Sequence, residues 1–132
     1  MILPNEVCIG VDLGGTNVRV AAITVAGQIL AKQSCAIEAA NCPAAGLQKI
    51  SALIQDVITQ SNTQIRAIGI GSTGPLDRAR GCIQNPYTLP GWEDVDIVSP
   101  LRRQFGVPVA LENDADAAAL GEAWMGAGKG AK

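Results

Sequence analysis

Aromatic residues are scarce in this chain of 132 residues: two Trp, one Tyr and one Phe, or 3%. Any core must therefore be aliphatic, and the supply is ample, since hydrophobic residues make up 48% and charged ones 17%. That balance excludes a disordered chain and suits one compact domain. An excess of either charge is also missing. A net charge of −2 offers no general attraction for nucleic acid, so no nucleic-acid partner is expected. No segment approaches the ~18 uninterrupted apolar residues of a membrane span, and Met1 to Glu6 lacks both a basic region and a long apolar stretch. These absences lead us to expect a cytoplasmic protein without membrane association. Histidine is absent altogether. The four cysteines, Cys8, Cys35, Cys42 and Cys82, are dispersed, the nearest pair being seven positions apart. That spacing gives no basis for a zinc site of closely spaced Cys or Cys/His pairs. It reads instead as small buried hydrophobes or reduced thiols.

What is present begins with Val11 to Arg19, Val-Asp-Leu-Gly-Gly-Thr-Asn-Val-Arg. Val7 to Val11 has the β-branched content of a buried strand, and Val18 to Ile23 resumes one, so the glycines form a tight strand-to-strand turn. Gly14 and Gly15 lack Cβ atoms, which lets main-chain N–H groups approach phosphate oxygens, and Thr16 adds a hydroxyl donor. Asp12 would then face the Mg²⁺ that accompanies a nucleotide, through water, because that ion keeps much of its hydration shell. The competing reading is a plain Gly-Gly hairpin turn whose Asp bonds its own backbone.

Further along, strands are expected to about Val25 and from Ile29 to about Cys35, making an antiparallel meander of three strands. After Asn41-Cys42-Pro43, the residues Leu47, Ile50, Leu53, Ile54, Val57 and Ile58 recur at spacings of three and four, which predicts a helix over Ala45–Gln60. A strand follows over Ile65–Gly71. Ser72 to Trp92 holds Pro75, Pro86, Pro90 and several glycines and accommodates only short or irregular structure. Val95 to Phe105 reads as a helix, clearest from Pro100. Val107 to Leu111 reads as a strand, and the alanine-rich Ala115 to Met125 as a last helix. The order βββαβαβα implies an α/β fold, a mixed five-stranded sheet with helices on its faces. Gly126 to Lys132, glycine-rich and basic, reads as a hinge or linker toward a further lobe.

Two nucleotide signatures fail. Gly69-Ile70-Gly71-Ser72-Thr73-Gly74 matches G-x-G-x-x-G after a strand, but Pro75 to Gly81 offers no apolar stripe for the helix that must open there. The Walker A pattern is absent: Gly128-Lys129 has Ala123 where the first glycine belongs and is followed by Gly130. A second candidate site is Glu112-Asn113-Asp114-Ala115-Asp116, where a strand ends and a helix starts, the place where α/β sheets gather ligands. Helix capping alone would also explain these residues. A carboxylate here could accept the proton of a substrate hydroxyl while the Asn113 amide holds a neighbouring one.

Taken in order, Asp12-Leu13-Gly14-Gly15-Thr16-Asn17, Gly69 to Pro75, Asn85-Pro86-Tyr87-Thr88-Leu89-Pro90-Gly91-Trp92 and Glu112 to Glu122 resemble the motifs of ROK-family sugar kinases. The likeness spans nearly all of Val7 to Gly128 and fits the N-terminal lobe of those enzymes. It implies an actin-like, ribonuclease-H-like ATPase lobe in a glucokinase-like protein, with a hexose in the cleft, ATP as phosphoryl donor and Mg²⁺ as its companion ion. By motif match Asp114 is the general base and Asn113 a sugar ligand. Asp12, Gly14, Gly15 and Thr16 take the phosphate and metal role, while Gly74 and Asn85 line the sugar side.

The family's complete kinases continue into a second lobe with another phosphate loop, the adenosine pocket and a Cys/His zinc motif. These 132 residues contain none of that, so the lobe alone is expected to be inactive or nearly so. Family members often read Asp-Ala-Asn where this chain has Asp114-Ala115-Asp116, which leaves Asp116 without a family role. Apolar surface left by the missing lobe would favour self-association as a homo-oligomer. The alternative reading is a sugar-sensing ROK-type regulator lobe. Only a few residues precede the first strand and no recognition helix is visible, which disfavours it.

Overall fold

The computed structural model describes residues 6–14, 17–24, 27–36, 43–72, 76–77, 81–83 and 95–113. The expected meander forms from β1 (Glu6–Leu13), β2 (Asn17–Thr24) and β3 (Ile29–Ala36), each antiparallel to the next. Next come α1 (Pro43–Ser61) and β4 (Gln64–Ser72), then the two-residue strands β5 (Leu76–Asp77), β6 (Cys82–Ile83) and β7 (Val95–Asp96). The order closes with α2 (Val98–Phe105) and β8 (Val109–Asn113). The main sheet has five strands in the order β3-β2-β1-β4-β8, and the ladders β1–β4 and β4–β8 are parallel. This is the mixed α/β sheet that the strand and helix order implies. β5, β6 and β7 make a small antiparallel sheet of their own.

Alternation decides which face is core. Val7, Ile9, Val11 and Leu13 of β1 are almost fully buried, and their register partners Val18, Val20 and Ala22 on β2 are buried with them. Ile68 and Ile70 of β4 and Val109 and Leu111 of β8 continue the same apolar rows. α1 packs on β2 and β3 and α2 on β8. Ile50, Ile54 and Val57 of α1 join one cluster with Val98 and Leu101 of α2 and the strand residues. Each such aliphatic side chain contributes about 1.5–3 kcal/mol by leaving water. The stripe on α1 therefore outweighs its weak termini. Pro43 opens that helix where its missing N–H is no loss. Asn62, at φ 52°, ends it in a left-handed turn with its N–H donated to Thr59 O at 3.3 Å.

Several boundaries differ from the sequence expectation, that of the second helix most. Val95 and Asp96 belong to β7, paired with Ile83 and Cys82, and the second helix starts at Val98. Asp96 stands outside the helix because its Oδ1 accepts the Ser99 N–H at 2.9 Å, satisfying one of the helix's open donors. The Gly81 carbonyl accepts from the N–H groups of Ile97, at 3.1 Å, and Val98, at 3.4 Å. The strand expected from Val107 begins at Val109, and Pro108 O accepts the Ile68 N–H at 2.9 Å just before it. The expected last helix, Ala115 to Met125, and the hinge, Gly126 to Lys132, lie outside the described residues.

Candidate functional site

The parallel ladders bring three strand ends together. Leu13, Ser72 and Asn113 form one cross-strand row, and Asp12, Gly71 and Glu112 the row beneath it. With neighbouring strands about 4.8 Å apart, the backbone at Asn113 lies about 10 Å from that at Leu13. The carboxyl ends of β1, β4 and β8 thus form one edge, the usual place for a ligand in such a sheet.

On β1, Leu13 points into the core and is fully buried, so its neighbour Asp12 must face the other way. Its side chain is 42% exposed, and Oδ2 lies 3.5 Å from Arg19 Nη2, on the residue directly across β2. Beyond Asp12 the turn closes through the Gly14 N–H, which donates to Asn17 O at 2.9 Å. That amide is therefore engaged within the turn. A Cβ at position 14 would stand 3.4 Å from the same oxygen, so the glycine keeps the turn uncrowded rather than being sterically compulsory. On the Asp12 face an open trench of about 810 Å³ runs over β1–β3, floored by Gly10, Ala21, Ile23 and Ile29 and edged by Asp12, Arg19 and Lys32.

Of the residues singled out in the sequence, Asp12, Gly14 and Asn113 fall on this edge. Gly15, Thr16, Gly74, Asn85 and Asp114 lie outside the described residues. Two residues of this edge were quoted within motifs but not singled out. Arg19 was readable in principle, because a hairpin closed between Gly14 and Asn17 sets Leu13 against Val18 and Asp12 against Arg19. Ser72, fully buried and lying between Leu13 and Asn113, carried no such signal.

Whether Mg²⁺ fits can be judged from the donor set. Among the described residues no group of three or more His, Cys, Asp or Glu could hold a metal. A closed protein cage is therefore not formed by them. A half-exposed carboxylate beside an open trench would suit Mg²⁺, which keeps waters and is held through one or two carboxylates and substrate phosphates. Asp12 would be the residue to offer it. Among the described residues no helix is long and apolar enough to cross a membrane.

Comparison with known proteins gives a consistent answer. The model of the ROK family matches residues 8–132. A glucokinase of Thermotoga maritima is 36% identical over 128 residues, covering 97% of this chain and 40% of that protein. The ROK hexokinase of Thermus thermophilus is 32% identical with a TM-score of 0.76, over 86% of this chain and 37% of the other. A ROK family glucokinase from Streptomyces griseus, solved in complex with glucose and AMPPNP, is 30% identical with a TM-score of 0.75, over 94% and 38%. A ROK family transcriptional regulator, a homolog of the E. coli MLC protein, has a TM-score of 0.68 at 18% identity over 83% and 28%, a likeness of fold alone. The chain spans about 40% of the length of the curated relatives it matches. Its five-stranded sheet is the actin-like, ribonuclease-H-like lobe of these structures.

Proposed function

The chain belongs to the ROK family, and from that premise we propose that it is the N-terminal lobe, 1–132, of an ATP-dependent, glucokinase-like hexose kinase. The observation that carries the reading is the pair of adjacent rows at the sheet edge, which set Asp12 of β1 and Asn113 of β8 on either side of β4. A phosphate-handling turn and a sugar-handling residue then share one edge, one strand apart. The solved relative holding glucose and AMPPNP together supports the same pairing of ligands.

In this reading Asn113 holds a sugar hydroxyl, and Asp114, the next residue, accepts the proton of the hydroxyl that attacks the terminal phosphate. Gly74 and Asn85 line the sugar side, and Gly14, Gly15 and Thr16 shape the turn against the phosphates. Mg²⁺, when bound, supplies neutralisation of the phosphate charge. Asp12 holds that ion through water, and residues 126–132 form the hinge to the C-terminal lobe. Such transfers pass through a loose transition state, so positioning and charge carry most of the catalysis and one carboxylate suffices to orient the nucleophile. That economy agrees with a chain lacking histidine.

The test is a coupled assay with glucose and Mg-ATP on this chain and on the full-length parent. The parent is expected to turn over and to lose about 10²–10⁴-fold with Asp114→Ala, the range for a general base. The chain alone is expected to be inactive. Robust turnover by the chain that Asp114→Ala abolishes would sink the claim that the lobe is insufficient. A parent that binds sugar without phosphorylating it would favour a sugar-sensing regulator, whose fold the chain shares.

A further inference from the structure

Asp12 already has a cation beside it. Strand pairing sets Arg19 directly across from it on β2, and its other register neighbour, on β4, is Gly71, which has no side chain. Arg19 Nη2 stands 3.5 Å from Asp12 Oδ2, with 75% of the Arg19 side chain and 42% of the Asp12 side chain exposed. The open trench lies alongside both. We propose that Arg19 is a tethered counter-cation, a positioning residue that balances the Asp12 charge until a divalent cation takes its place. This rests on the reading of Asp12 as the metal-holding residue.

Three physical features support displacement rather than a permanent bond. Charge-assisted N–H···O contacts close to about 2.7–2.9 Å, so the 3.5 Å separation is Coulombic contact without a tight hydrogen bond. Solvent-exposed pairs hold weakly and are screened by salt. The long Arg19 side chain is three-quarters exposed, so it can swing away from Asp12 as a charge. The strand nevertheless fixes its Cα, so the released side chain remains at the trench mouth. Gly71 puts no side chain of its own on the opposite flank of Asp12.

The consequence is competition. Removing the Arg19 charge should strengthen divalent-cation binding at Asp12, whereas removal of a residue that merely shapes the turn would weaken it. Mn²⁺ alone serves as probe. It is titrated into the ¹⁵N-labelled 132-residue chain, and paramagnetic broadening of the amides at Asp12 and Gly14 is followed residue by residue. Arg19→Gln is expected to bind Mn²⁺ about two- to five-fold more tightly than the wild type, the ratio set by the strength of an exposed ion pair. Arg19→Lys should restore the wild-type affinity, and Asp12→Asn should abolish the local broadening. Equal or weaker binding by Arg19→Gln overturns the proposal, as does an Arg19→Lys variant that behaves like Arg19→Gln. Wild-type broadening that does not depend on Asp12 refutes the metal assignment itself, a different failure with a different signature.

Discussion

Gly81 and Gly106 share a positive φ, +70° and +68°, so replacing each by alanine separates backbone strain from packing. At 106 an added Cβ meets nothing within 4 Å. At 81 it would lie 2.6 Å from the Val98 Cβ and 2.7 Å from its Cγ2, closer than carbon atoms tolerate. The backbone cost of an alanine in this region is about 1–2 kcal/mol at either position. Overpacking adds about 1–3 kcal/mol at 81, because Val98 is only 6% exposed and belongs to the same core cluster as Leu101. Nor can Val98 withdraw freely, since its N–H and that of Ile97 are held by the Gly81 carbonyl. Gly106→Ala is therefore expected to lose about 1–2 kcal/mol. Gly81→Ala is expected to lose about 2–5 kcal/mol. Urea denaturation followed by far-ultraviolet circular dichroism, with equal slopes, measures both. Equal losses for the two variants would refute the packing argument, and no loss at Gly106 would refute the strain argument.

Two further outcomes follow from single side chains. Burial pushes the Asp96 carboxyl up, but hydrogen bonds from the Ser99 N–H and hydroxyl and the Val98 N–H, with Arg103 nearby, outweigh it and hold the group below its ordinary value. Asp96→Ala should cost about 0.5–2 kcal/mol at neutral pH, as for other helix caps. Because the folded value is depressed, the contribution is present above the ordinary carboxylate value and lost as pH falls through the folded one, so the stability gap between wild type and variant should shrink below about pH 4. A gap unchanged at pH 2 would show that the carboxylate is not the cap. Burial raises the Cys8 thiol, Arg66 opposing and Glu6 adding to it. Iodoacetamide at pH 8 should leave Cys8 and Cys82, each 4% exposed, unlabelled until urea is added, as peptide mass spectrometry would report.

Sequence patterns carried the fold as far as their periods reached. Alternation over Val7 to Leu13 and the three-and-four spacing of Ile50, Leu53, Ile54 and Val57 each declare a buried face without further help. Strands of two residues, such as Leu76–Asp77 and Cys82–Ile83, are too short to show any period, so the small sheet could only read as irregular. Val95 misled for a related reason: with Val98 and Leu101 it mimics a helical stripe, and only Asp96, three residues before Ser99, marked the true start. The sheet edge was half legible. The glycine turn and Asn113 announce themselves by type, whereas Arg19 needs the hairpin register and Ser72 needs the order of strands.

That order matters less than a single irregularity within it. Along the β1–β4 ladder Val7 pairs with Ile65 and Cys8 with Ala67, so Arg66 is an extra residue, a bulge in β4. Every later pairing inherits the shift. Without it Asp12 would stand beside Ile70 rather than Gly71, and Gly10 beside Ile68 rather than Gly69. The side chains of Ile68 and Ile70 would then be turned from the core face to the Asp12 face, since a one-residue slip inverts a strand. As folded, both isoleucines are fully buried with Ile9 and Val11, and glycines flank Asp12 and Gly10 instead. One inserted residue, placed some 20 Å from the sheet edge at about 3.3 Å per residue, thus completes the core and sets a glycine rather than an isoleucine beside Asp12. The glycine beside the carboxylate is a property of strand register, and a loop substitution near the turn would not recreate or remove it.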